Sequence, residues 1–421
     1  MTDSQSCSRK PARSLSMYYF CYLLLLFVVD VVERKSMEKL KQQSSNVGSI
    51  NTKSLDDEHA TSNDFISKLE EIMRGEANKA LRQPSKFALM VLKHGKLYCR
   101  SSQKELYESR SRDFAEMLQL GLRTEQGRKT FGSLNYDLPI ILKHDDSSGC
   151  NAATRTDSYG FPRLSWALPV NNTANWCHAI GAPSYISWRT FKRNVRQWDA
   201  FFSRNDNLYP WATKIRKAVW RGSTTSNKSL YGQLDLLETP RGRLVNSSIG
   251  NSFIDSGFNK LVGKHKGTSM QRQKLLKDSI PMEQMMKYKA IIDIDGNNWS
   301  SRFNFLLCFN SVIIKISPDF VESTFDELVP GVHYVPASLN NITQVAESVL
   351  VENNDKDLQQ IISNANSWCA KSMTQDALAR SAMAALEEYH DLLNEFDRNW
   401  QEKWLIRGAF EVANDIVECT L

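Results

Sequence analysis

Three short stretches hold side chains suited to chemistry on a phosphate or a hydroxyl. The first is Gly296-Asn297-Asn298-Trp299-Ser300-Ser301-Arg302, between the β-branched run 290–294 and apolar positions 303, 305, 306, 307 and 309. A glycine and two serines where a strand gives way to a helix place N–H and O–H donors around an anion, and Arg302 adds a guanidinium fork. The second, Arg221-Gly222-Ser223-Thr224-Thr225-Ser226, repeats that chemistry after the short run Lys217–Trp220. The third is His144-Asp145-Asp146, which follows the apolar run 137–143. A carboxylate at a strand's end can take a proton from a hydroxyl as general base.

Other constellations carry less. Asp293-x-Asp295 has the spacing of an acidic metal motif, but buried aliphatics flank it and no third ligand is in view, so no metal is expected. His265, His333 and His390 have no triad partners in sequence. No G-x-S-x-G elbow and no Walker loop occurs.

These residues need a scaffold. A β-branched run, a capped apolar helix over 303–309 and a second β-branched run at 312–316 make a strand–loop–helix–strand unit, and hence a parallel α/β sheet. Ligands of such sheets sit outside the carboxyl ends of the strands. Further strands are expected around 87–92, 96–100, 164–170 and 331–336, and helices at 113–122, 229–237, 282–289, 320–328, 344–352, 355–370 and 375–394. Residues 182–188 read as an aromatic loop. Tyr209-Pro210-Trp211 reads as a hinge, giving a first half over 64–205, a second over 206–370 and closing helices over 371–421 that pack back on the first.

The amino-terminal region reads differently. Arg9, Lys10 and Arg13 precede Met17–Val29, which has no charge, and residues 15–32 are expected to be a signal-anchor behind a cytoplasmic tail at 1–14. Residues 33–63, rich in Ser, Lys and Gln, form the stem. A single-pass type II protein with its bulk in the lumen of the Golgi or endoplasmic reticulum follows, and the ending Glu418-Cys419-Thr420-Leu421, which is no retrieval signal, favours the Golgi. Cys99, Cys150, Cys177, Cys308, Cys369 and Cys419 lie in that part, without a CxxC pair, and can join in more ways than sequence can resolve. Asn171, Asn227, Asn246, Asn298 and Asn341 head sequons, of which Asn298 sits inside the proposed phosphate corner. The 421 residues include 53 basic and 47 acidic ones, a net +6 with no basic cluster interleaved with aromatics, so nucleic acid is not an expected partner.

Trp220-Arg221-Gly222-Ser223-Thr224-Thr225-Ser226, then Lys287-Tyr288-Lys289 running to Gly296 and Ser300-Ser301-Arg302, then Val332-His333-Tyr334-Val335-Pro336, stand in one order. Over roughly residues 135–390 the chain resembles glycosyltransferase family 90, which includes the Rumi-like protein O-glucosyltransferases and fungal capsule xylosyltransferases. The resemblance implies a GT-B architecture, two Rossmann-like halves with a cleft between them. It implies inverting, metal-independent transfer of glucose or xylose from a UDP-sugar, a co-substrate and not a cofactor, to a hydroxyl of a protein or glycan acceptor. Arg221 and Arg302 would bind the diphosphate, with Gly222, Ser223, Gly296, Ser300 and Ser301 lining it. The base would be Asp146, with Asp145 as alternative, because Ser147 and Ser148 replace the family's proline nearby. The other functional class compatible with these residues is an inert luminal sugar-binding or scaffold protein of the same fold.

Overall fold

His94 and Gly95 both take the left-handed backbone conformation, with φ of 47° and 71°. They close a tight antiparallel hairpin between Phe87–Lys93 and Lys96–Arg100. The computed structural model describes residues 87–100, 108–143, 146, 148–151, 154–170, 176–190, 195–266, 275–351, 355–403 and 416–419. The expected tail, anchor and stem lie outside them, as do Asp145 and Asn171. Among the described residues no helix is long and apolar enough to cross a membrane.

The hairpin belongs to a six-stranded sheet ordered Ile416–Glu418, Lys96–Arg100, Phe87–Lys93, Leu138–Lys143, Arg163–Ser165, Ala179–Gly181. Only Leu138–Lys143, Arg163–Ser165 and Ala179–Gly181 run parallel; the other pairings are antiparallel. The expectation of a Rossmann-like first half is corrected to that extent. The amino-terminal hairpin and the carboxy-terminal strand supply neighbours that no crossover connects.

The second sheet is wholly parallel: Ile254–Lys260, Ile215–Ser223, Tyr288–Asp293, Val312–Ile316, Val335–Ala337. Its central residues 290–292 and 312–314 read as apolar runs because both faces are covered. Ile291 and Ile313 join one buried cluster, while Ala290, Ile292 and Ile314 join another on the opposite face. The fold is therefore α/β with a mixed and a parallel sheet.

The larger cluster also takes in residues of the first sheet, such as Ile140 and Leu142. Burying each such side chain contributes about 1.5–3 kcal/mol. The helix Gln375–Phe396 lies against Glu108–Leu122, and the Tyr389 hydroxyl donates to the Pro139 carbonyl at 3.0 Å. Three disulfides staple the fold: Cys99–Cys419, Cys150–Cys177 and Cys308–Cys369. The first holds the carboxy-terminal strand against the hairpin across 320 residues of sequence.

Several local expectations change. The segment expected as an aromatic loop at 182–188 enters a helix at Tyr185–Thr190. The helix expected over 303–309 is a single turn, Phe303–Leu306, with Arg302 at its N-cap. Ser300 does not cap it; its hydroxyl donates to the Asp293 carboxylate. The expected helices at 282–289 and 320–328 are 3-10 turns, Met282–Lys287 and Ser323–Glu327. Short polar and aromatic segments carry weak periodicity, and packing decides their conformation.

Candidate active site

Each parallel strand of the second sheet delivers its loop to one rim. There Gly222, Ser223 and Thr225 from one loop meet Gly296–Arg302 from another across a cleft of about 300 Å³. Tyr185, Ile186 and Asp146 form the facing wall. Of the residues expected to act there, Asp146, Gly222, Ser223, Gly296, Ser300, Ser301 and Arg302 thus line one cavity. Arg221 does not line it.

The strand Ile215–Ser223 alternates its side chains, so Trp220, Arg221 and Gly222 cannot all face the cleft. The Arg221 guanidinium grips both Asp255 carboxylate oxygens at 3.0 Å and donates to the carbonyls of Trp220, Asp255 and Asp278. Asp255 lies on the neighbouring strand and also accepts from Lys277. Burial would raise its pKa, but the bonds from Arg221 and Lys277 hold it below the ordinary carboxylate value.

A different arginine reaches the cleft. Thr239 caps the helix Pro240–Ser247 and Pro240 opens it, which places Arg241 in its first turn. The Arg241 guanidinium donates to the Asp295 carbonyl at 2.7 Å, the Thr225 hydroxyl at 2.6 Å and the Ser223 carbonyl at 3.0 Å. It therefore ties together the two loops that make the phosphate corner. Gly296 permits this approach: a Cβ there would stand 3.0 Å from the Arg241 Nη2. The Thr-Pro pair was a legible helix start, but the Asp295 carbonyl that Arg241 grips lies 54 residues away in sequence.

Arg302, at the cleft, donates to the Arg221 carbonyl at 2.8 Å. Burial and then the Arg302 charge lower the Arg241 pKa to about 9, against the opposing pull of Asp293 and Asp295. The Arg302 pKa is lowered too, by burial, with Asp293 pulling the other way. Two cations this poorly solvated and this close present a strong demand for an anion. The helix that starts at Arg302 is a single turn whose dipole adds little, so the positive charge of the site rests on the guanidiniums and backbone N–H groups.

Asp293 and Asp295 do not face that demand directly. Lys315 lies between them, 2.8 Å from each carboxylate. Burial pushes Asp295 up to about 6, with Lys315 pulling it down and Asp293 and Asp319 adding to the rise. Both carboxylates are thus committed to an internal ion triad. Elsewhere among the described residues, Cys150, Asp157 and Cys177 come together at metal-ligand spacing, but the two cysteines are joined as a disulfide.

Asp146 stands three residues beyond the strand Leu138–Lys143, its side chain 40% exposed. Arg110 donates to one carboxylate oxygen at 2.9 Å, and Asn297 reaches the other at 3.3 Å from the opposite wall. The wall therefore meets the phosphate corner through this carboxylate. Behind Arg241 and Gly296 a recess of about 60 Å³ continues, lined by Tyr231, Asn298 and Asp319 among others. Tyr231 donates to Asp319 at 2.6 Å. Asn298, buried, accepts from Asn227, while its own Nδ2 has no partner among the described residues.

The cleft of this α/β fold thus sets the guanidiniums of Arg241 and Arg302 opposite the carboxylate of Asp146. The sequence pattern of Glycosyl transferase family 90 matches residues 63–418, and the chain belongs to that family. Protein O-glucosyltransferase 1 of Homo sapiens is 24% identical over 224 residues, 52% of this chain and 53% of that protein. O-glucosyltransferase rumi of Drosophila melanogaster is 25% identical over 237 residues, 53% of each chain. The chain spans about half the length of the curated relatives it matches. Among solved structures, Anabaena HepE in complex with UDP-glucose is similar at 10% identity and a TM-score of 0.31, covering 47% of this chain and 56% of that one.

Proposed function

We propose that this protein is a GT-B-type inverting glycosyltransferase that moves glucose or xylose from a UDP-sugar to a hydroxyl of a protein or glycan acceptor. The observation that carries this reading is the meeting, in one cleft, of the Arg241–Arg302 pair and Asp146. The diphosphate sits between the two guanidiniums and the Gly296–Ser301 backbone, and its negative charge relieves their mutual repulsion. The leaving UDP gains charge as the glycosidic bond breaks, and preorganised donors stabilise that charge without reorganising. The recess behind Arg241 takes an edge of the nucleoside, where the Asn298 Nδ2 offers a donor and Asp319 an acceptor.

Asp146 takes the acceptor's proton as its oxygen attacks the anomeric carbon from the face opposite UDP. Its exposure suits a group that must meet a large acceptor. With Asp293 and Asp295 committed to Lys315, the arginines take the part that a divalent cation plays in other transferases. The three disulfides among the described residues support an oxidising compartment, and the uncharged run Met17–Val29 supports attachment to a secretory-pathway membrane.

The test is incubation of the purified protein with UDP-glucose and UDP-xylose, following UDP release and thermal stabilisation. Release of UDP from at least one sugar is expected. Stabilisation without any release would support an inert sugar-nucleotide binder, and the absence of both responses would overturn the reading.

A further inference from the structure

We propose that Arg163 is a positioning residue for Asp146, anchoring the loop that presents this carboxylate to the cleft; the proposal rests on Asp146 being the base. Arg163 is fully buried on the short parallel strand Arg163–Ser165, beside the strand that leads to Asp146. Its Nε and Nη2 both donate to the Ser148 carbonyl, at 2.9 and 2.7 Å, two residues beyond Asp146. Its Nη1 donates to the Phe161 carbonyl at 2.9 Å.

The rest of the guanidinium is held in turn. Asp157 accepts from Nη1 at 3.0 Å and from Nη2 at 2.9 Å, and Asp157 also accepts from the backbone N–H of His178. Burial would raise the Asp157 pKa, but the His178 hydrogen bond and Arg163 outweigh it, so the carboxylate stays charged. Cys150 and Cys177 close the same loop covalently, and Nη2 lies 3.1 Å from the Cys150 sulfur. Gly149 turns the chain at φ 82°, where a Cβ would stand 2.2 Å from the Tyr159 ring. That ring in turn covers the Arg163 guanidinium at 5.1 Å.

Nothing in this cluster lines the cleft, yet the fork onto the Ser148 carbonyl, the turn at Gly149 and the Cys150 disulfide all hold the segment 148–150. Its rigidity is what fixes where Asp146 stands relative to Arg302, since Arg110 and Asn297 hold only the carboxylate itself. A base displaced by an ångström loses much of its effect.

The test is a double-mutant cycle on the full chain. Arg163→Lys keeps a cation beside Asp157 but cannot fork onto the Ser148 carbonyl. Arg163→Met with Asp157→Leu removes the pair together, leaving no unpaired buried charge if the lysine variant folds poorly. Each is measured alone and combined with Asp146→Asn. The readouts are UDP binding and hydrolysis of whichever of UDP-glucose and UDP-xylose the wild type cleaves faster.

The expected result is a fall in hydrolysis of about 10- to 100-fold with little change in UDP affinity. Adding the Arg163 change to Asp146→Asn should cost nothing more, because Arg163 acts only through that carboxylate. If Asp146→Asn alone hydrolyses normally, the base assignment falls and this proposal with it. If Asp146→Asn is impaired but the Arg163 variants match wild type, or their losses multiply with it, the base stands and the positioning role is overturned.

Discussion

The two walls of the cleft are built in opposite ways. The wall from the second sheet is buried and overdetermined: Arg241 alone bonds four groups on two loops. The wall from the first sheet offers one half-exposed carboxylate, held by a single arginine and one amide. Under the proposed function, the buried wall meets a diphosphate, which is small and always the same, so its site can be preformed. The other wall would meet an acceptor carried on a larger molecule, so it must stay open and hold only the reacting group in place. Rigidity on that side is kept out of sight, in the buried cluster behind the loop.

The comparison breaks most visibly at Asp146. Asp146→Asn keeps size and removes basicity, so transfer should fall by about 10²- to 10⁴-fold while UDP binds as before. Parallel assays of UDP affinity and UDP release check this, with Asp145→Asn beside it to test the neighbouring carboxylate. A loss confined to Asp145→Asn would move the base by one residue.

The opposite wall should fail in the opposite sense. Arg302→Ala removes a charge-assisted contact worth about 1.5–3 kcal/mol, so UDP affinity should drop at least about tenfold. Arg241→Lys keeps the charge but loses the fork that joins the two loops, and a loss of similar size is expected. Calorimetric titration with UDP reads both. Unchanged affinity in Arg302→Ala would remove the diphosphate from this corner.

Arg221 sharpens the contrast, because its sequence context matches that of Arg302 while its surroundings do not. Among the described residues, Arg221→Met leaves Asp255 with Lys277 and Tyr288 as side-chain partners. Stability should fall by about 3 kcal/mol, as for a broken buried pair, with UDP affinity of the folded protein nearly intact. Thermal denaturation beside UDP titration decides it. A tenfold loss of affinity at full stability would return Arg221 to the donor site.

The smallest effect expected is that of a chelator. With Lys315 neutralising Asp293 and Asp295, and two arginines facing the cleft, EDTA should leave turnover within experimental scatter of the untreated enzyme. Loss of turnover that manganese restores would instead bring these aspartates into the mechanism.

The linear chain by itself determined two central strands of the second sheet, since apolar runs such as 290–292 and 312–314 can only be buried on both faces, but it did not mark the edge strand Ile254–Lys260. It also determined that Gly296–Arg302 would lie at a strand's end, because glycine, serines and an arginine between a strand and an apolar segment leave few other structures open. The strands on either side of His94-Gly95 and the long helices after residue 355 were legible because their signals are local. Tertiary structure decided the rest. Which face of Ile215–Ser223 meets the ligand depends on the neighbouring strand, whose Asp255 captures Arg221 and leaves Arg241 to reach the cleft. The pairing of six cysteines, the ion triad at Lys315 and the clamp of Arg163 on Ser148 join residues distant in sequence or on separate strands. No periodicity encodes such partners, because each is chosen by burial and charge only once the two sheets have come together.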